Sequence, residues 1–121
     1  MIKGLGIDIC DVKKLARAMK KNKKFSKRVY SAAELKYCSS KRNSLLSLAG
    51  RFAAKEAFIK AVGDDKSIRL SEIEIVNDRH GKPAIRLGPK IKAVLKRKKA
   101  KSLSLSITHT DSAAAAVCLL C

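Results

Sequence analysis

The segment RFAAKEAFIKAVG, residues 51–63, constrains the fold of this chain more than any other. Its alanines and phenylalanines at helical spacing predict a helix over residues 51–62, closed by Gly63 in the left-handed position that ends many helices. At about 100° per residue, with Arg51 at zero, Glu56 and Lys60 fall near 140° and 180°, and Arg51 and Lys55 near 0° and 40°. Phe52 and Ile59 flank the Glu56/Lys60 stripe on one side, and Ala53, Ala54, Ala57, Phe58 and Ala61 on the other. A Glu-before-Lys pair four residues apart is ordinarily a surface ion pair worth a few tenths of a kcal/mol. A solvated face is wide and continuous, however, whereas this one is wedged between apolar sectors. Partly buried charges need partners, and the wall of a cleft that binds a metal or phosphate supplies them.

A chain of 121 residues is read as a single domain, 1–121, with one sheet and a core of Leu, Ile, Val and Ala, since it has no Trp and only 4% aromatic residues. Such a core is modest, and an oligomer would bury more. The 28 Lys and Arg against 10 Asp and Glu give a net charge of +18, which calls for an anionic partner. Nucleic acid, an acidic protein, an anionic lipid surface and a polyphosphate cofactor all satisfy that demand. Of the four cysteines, only Cys118 and Cys121 have metal-like spacing, with no second pair to complete a zinc site. Cys10 and Cys118 sit in apolar runs as small hydrophobes. No signal peptide precedes Met1 and no apolar stretch is long enough to cross a bilayer, so the expected location is cytoplasmic, with no membrane partner.

The opening MIKGLGIDIC suits a strand whose Gly4 and Gly6 admit another backbone closely. From Asp11 as N-cap, Val12, Leu15, Ala16 and Met19 form the apolar stripe of a helix. Lys13, Lys14, Arg17, Lys20, Lys21 and, if the helix continues, Lys24 occupy an opposite arc of about 120°. Like charges so placed destabilise an isolated helix, which points to an acidic partner surface, although a charge run is often only a solvated face. SAAELKYC, opened by the capping box Ser31/Glu34, and SLLSLAG are expected as helical pieces before the central helix. EIEIV and PAIRL predict one hairpin around NDRHGK; Gly88-Pro89 opens a short helix with Ile91, Val94 and Leu95 inward and KRKKAK as a basic tail; SLSLSI and SAAAAVCLLC predict a second hairpin. The fold class is α+β, a mostly antiparallel sheet packed against a central helix.

Asp8 at the end of the first strand, Glu56 with Lys60 on the central helix, and His109 at the second hairpin are far apart in sequence and can meet in space. Two carboxylates with open water positions are a typical Mg²⁺ arrangement where substrate phosphates supply the remaining oxygens. A lysine beside them neutralises phosphate charge or assists a leaving group. Each also has an ordinary reading, Asp8 as a turn or cap acid and His109 as a hydrogen-bonded hairpin residue. Neither GxxxxGK[ST] nor GxGxxG occurs, so a phosphate site must use side chains.

Taken together, GLGIDI at 4–9, GRFAAKEAFIKAVG at 50–63, HGKP at 80–83 and SLSITHT at 104–110 resemble the holo-acyl-carrier-protein synthases, the short bacterial type of 4′-phosphopantetheinyl transferase, over nearly the full chain and in the same order. The resemblance implies the 4′-phosphopantetheinyl transferase-like fold and transfer of the phosphopantetheine arm of coenzyme A to a serine of apo-acyl carrier protein, in support of fatty acid biosynthesis. It also implies that Asp8 and Glu56 bind magnesium and that Lys60 lies at the pyrophosphate. His109 and Thr110 match the loop near the coenzyme, and Arg51, Gly63, Lys82 and Pro83 match positions shaping its nucleotide pocket. The basic first helix, with Lys14, Arg17 and Lys21, would meet the acidic helix of the carrier; Lys14 replaces a common arginine and lacks its bidentate fork. A homotrimer with active sites between neighbouring subunits is implied as well. The alternative, a small basic nucleic-acid-binding protein, accounts for KRKKAK but leaves Asp8, Glu56 and Lys60 unexplained, and stacking aromatics are sparse.

Overall fold

A computed structural model describes all 121 residues. The elements are β1 (Gly4–Asp11), α1 (Val12–Lys21), α2 (Phe25–Val29), α3 (Ala32–Ser39), α4 (Ser44–Ala61), a 3₁₀ turn (Leu70–Glu72), β2 (Ile75–Asn77), β3 (Pro83–Ile85), α5 (Pro89–Arg97), β4 (Leu103–His109) and β5 (Ala113–Leu120). An antiparallel sheet of order β1-β5-β4 carries α4 across one face, and β2 and β3 form a separate antiparallel hairpin. The expected single sheet is therefore two. The hairpin strands pair over only three residues each, and β3 lies across a groove from β4, lined by Pro83, Ile85 and Leu105, without joining its ladder.

Small residues set how closely helix and sheet approach. Gly6 and Cys10 of β1 and Ala114, Ala116, Cys118 and Leu120 of β5 are buried beneath α4, which turns Ala53, Ala54, Ala57, Phe58 and Ala61 inward. A β-carbon at Gly4 or Gly6 would collide with the carbonyl oxygen of Ala61 or Ala57, so only glycine lets this strand lie under this helix. Alternation then turns Leu5, Ile7 and Ile9 outward, where they are 61%, 68% and 72% exposed beside Val117 of β5. An apolar sheet face is left uncovered on the side away from α4.

The two helical pieces expected before and within residues 51–62 are one continuous helix, α4, capped by Asn43, whose side chain accepts from Leu46 N at 3.1 Å. Gly50 interrupts the pattern without breaking the helix, because its bare Cα fits against Ile107 of β4. Asp11 caps α1, accepting from Lys14 N at 2.9 Å, and the helix ends at Lys21, leaving Lys24 outside its basic face. A further short helix, α2, occupies Phe25–Val29. The Ser31/Glu34 capping box and Pro89 in the first turn of α5, with Ile91, Val94 and Leu95 buried, form as expected.

Candidate functional site

The glycine contact between β1 and α4 brings Asp8, two residues past Gly6, to the side of α4 that carries Glu56 and Lys60. Lys60 does not pair with Glu56 along the helix. Its Nζ reaches across to β1, donating to Asp8 Oδ1 at 3.2 Å and to Ile7 O at 3.1 Å. Asp8 keeps 17% of its side chain exposed and Lys60 keeps 54%, so the cluster opens to solvent. Glu56 is half-buried, and burial first, then the nearby Asp8 charge, raise its carboxyl pKa above the usual range while Lys60 opposes the rise. Beside it lies a shallow cleft of about 220 Å³ lined by Ile59, Asp64, Ile68 and Leu70. Gly63 closes α4 with φ +75°; its N–H donates to Lys60 O and that of Asp64 to Ile59 O, the paired bonds of a Schellman turn.

A second and larger cleft, about 480 Å³, lies between α3, α4 and the β2–β3 hairpin, with Arg51, Pro83 and His109 among its lining residues. Arg51 is buried, stacks over the Tyr37 ring at 4.2 Å and donates from Nη2 to Asn77 Oδ1 at 2.7 Å, while its Nε has no acceptor within the protein. A buried guanidinium with a donor to spare suits an anionic or acceptor-rich ligand. The hairpin turn is built by Asp78, whose Oδ1 accepts from His80 N and Lys82 N, and by Gly81 at φ +83°. Lys82 is exposed beside Pro83, and His109 and Thr110 are exposed at the end of β4, where the Thr110 hydroxyl oxygen accepts from Ser112 N and Ala113 N.

Asp8, Glu56, Lys60 and Gly63 therefore gather at one end of α4, and Arg51, Pro83 and His109 line a different cleft. Lys14, Arg17 and Lys21 are exposed on α1, opposite buried Leu15. Sequence reasoning missed Tyr37 and Asn77 as walls of the larger cleft, and it missed Lys55, which is fully buried against Glu34 at 2.6 Å. The available signal was Arg51 and Lys55 one helical turn apart among alanines, with no acid on that side of the helix.

The chain matches the 4′-phosphopantetheinyl transferase superfamily model over residues 4–118. It is 43% identical to the holo-acyl-carrier-protein synthase of Treponema denticola, with 99% of this chain and 98% of that protein covered. Among solved structures, the holo-acyl-carrier-protein synthase of Neisseria meningitidis superimposes with a TM-score of 0.90 at 33% identity, covering 99% of this chain and 98% of that one. The Helicobacter pylori synthase, solved in complex with coenzyme A, gives a TM-score of 0.83 at 31% identity, over 97% of this chain and 99% of that one.

Proposed function

This chain belongs to the 4′-phosphopantetheinyl transferase superfamily, and on that premise we infer that it transfers the 4′-phosphopantetheine group of coenzyme A to a serine of apo-acyl carrier protein, giving holo-acyl carrier protein and adenosine 3′,5′-bisphosphate. One observation carries the reading: Lys60 reaches from α4 to Asp8 on β1 beside half-buried Glu56, so two carboxylates and a cation meet at one point. Transfer of a phosphoryl-type group needs positioning and charge stabilisation more than a protein nucleophile, and that is what such a cluster supplies.

Asp8 and Glu56 fit a divalent cation, Mg²⁺ in this reading, because they are hard oxygen donors whose mutual repulsion a dication relieves. That ion would neutralise pyrophosphate charge while keeping positions for phosphate oxygens. Lys60, exposed and held only by Asp8 and a backbone carbonyl, is free to turn its ammonium to the oxygen that leaves with adenosine 3′,5′-bisphosphate as the bond to the carrier serine forms. Arg51, with Pro83 and His109 and the adjoining Lys82 and Thr110, holds the nucleotide in the larger cleft, and Gly63 shapes the end of α4 facing the pyrophosphate.

Arg51 and Glu56 are turned about 140° apart on α4, so one chain does not bring its two groups of residues together. This separation supports a homotrimer in which one subunit's cleft faces the next subunit's Asp8, Glu56 and Lys60. The uncovered face of Leu5, Ile7, Ile9 and Val117 is the kind of surface that such assembly buries. Lys14, Arg17 and Lys21 on α1 give the acidic helix of the carrier its docking surface. We place the enzyme in the cytoplasm, supporting fatty acid biosynthesis; its four cysteines are free thiols, and no helix is long and apolar enough to cross a membrane. Nothing in the site favours the nucleic-acid alternative.

The test is mass spectrometry of apo-acyl carrier protein incubated with the protein, coenzyme A and Mg²⁺. The carrier is expected to gain one phosphopantetheine group, and the gain to disappear with EDTA and in Glu56→Ala. A competent carrier that gains nothing contradicts the transferase reading, and a gain unaffected by EDTA contradicts the metal.

A further inference from the structure

Lys55 is fully buried, one turn after Arg51 and directly before Glu56, yet the chemistry above does not use it. Its Nζ donates to Glu34 Oε1 at 2.6 Å, to Leu70 O at 2.9 Å and to Ile73 O at 2.7 Å, so all three ammonium protons have acceptors. Glu34 in turn accepts from Ser31 N with Oε1 and from Ile75 N with Oε2, each at 2.9 Å. These bonds join α3, α4, the 3₁₀ turn and β2 at one point. Stability alone does not account for burying two charges there, because an apolar pair of similar volume commonly serves as well or better. What the charged pair adds is bonds of fixed length and direction to several elements at once.

Those elements are the walls of the larger cleft. Tyr37 lies three residues beyond Glu34 on α3 and stacks on Arg51. Asn77 lies two residues beyond Ile75 on β2 and accepts from Arg51, with Gly81 and Pro83 following on the hairpin. We propose that the Lys55–Glu34 ion pair is a positioning device: it fixes the spacing between the α3 wall and the hairpin wall, and with it the fit of the nucleotide part of coenzyme A. The proposal rests on reading that cleft as the nucleotide site.

The decisive comparison is steady-state kinetics of Lys55→Met/Glu34→Gln, which removes both charges and leaves one amide oxygen at position 34 where two carboxylate oxygens accepted from Ser31 N and Ile75 N, alongside Arg51→Ala. The double variant is expected to raise the KM for coenzyme A on the order of tenfold, with carrier KM and kcat changed far less. A pair that only stabilises the fold would lower the active fraction and so the apparent kcat, with the coenzyme A KM as in the wild type; that result overturns the proposal. If Arg51→Ala raises the coenzyme A KM and the double variant does not, positioning fails alone. If neither raises it, the nucleotide reading of the cleft fails and takes the proposal with it. Should the double variant not melt cooperatively, amide exchange in the unmodified protein decides. Saturating adenosine 3′,5′-bisphosphate is expected to slow exchange at Ile75, whose N–H Glu34 holds, by about tenfold, and an unchanged rate overturns the proposal.

Discussion

Glu56 takes its properties from its neighbours rather than from its place in the chain. Burial and the Asp8 charge hold its carboxyl pKa above the usual value in the folded protein. Between the unfolded and folded values the native state therefore binds more protons, so this contribution to stability is complete below the unfolded value and is lost as pH rises through the folded one. Asp65, held low chiefly by Ser67 and then Arg97, and Glu72, held low chiefly by Lys90, titrate with the opposite sign. The difference between wild type and Glu56→Gln isolates Glu56. Without metal, the wild-type melting temperature should fall relative to Glu56→Gln as pH rises from the acid range towards neutrality, and saturating Mg²⁺ should recover the loss only in the wild type. Calorimetry with and without Mg²⁺ checks this, and parallel profiles for the two proteins would contradict it.

The contact between β1 and α4 decides whether the site exists at all. In Gly6→Ala the new methyl meets the backbone carbonyl of Ala57, which cannot swing aside as a side chain can. The strand must move instead, at a cost of about 1–3 kcal/mol, carrying Asp8 away from Lys60; thermal melts should report the first effect and a reduced transfer rate the second. If α1 is the carrier's docking surface as proposed, Lys14→Glu with Arg17→Glu should raise the carrier KM on the order of tenfold, leaving the coenzyme A KM unchanged. Elements with local signals were legible in the sequence: the Asp11 and Ser31 caps, the Gly63 turn, the Pro89 start of α5 and the β4–β5 hairpin. The inner face of α4 was legible as well. Gly50 hid the continuity of α4, because a glycine that ends one helix and a glycine that packs against Ile107 look alike in sequence. Asp8, Glu56 and Lys60 were picked out from the residues themselves, the last two by their wedged stripe on the helix, but their spacing alone was a weak signal and the family resemblance supplied their roles. Lys55, Tyr37 and Asn77 escaped notice because their partners come from segments far along the chain, where no local pattern marks them.

At the scale of the molecule, each chain is proposed to carry two halves of an active site that meet only across a subunit boundary. The superfamily and the fold follow from the whole chain. What supports that division is the orientation of Arg51 and Glu56 on one helix and the uncovered apolar face of β1. Subunit complementation tests it most directly. Arg51→Ala and Glu56→Ala proteins, each impaired at coenzyme A concentrations below the wild-type KM, are refolded together in equal amounts and their transfer rate is compared with the sum of the parents. If neighbouring subunits share each site, random mixing pairs an intact Arg51 cleft with an intact Glu56 cluster at about a quarter of the boundaries, and transfer recovers to roughly that fraction of wild type. Mixed oligomers, verified by native mass spectrometry, that show no activity beyond the sum of their parents would contradict the account.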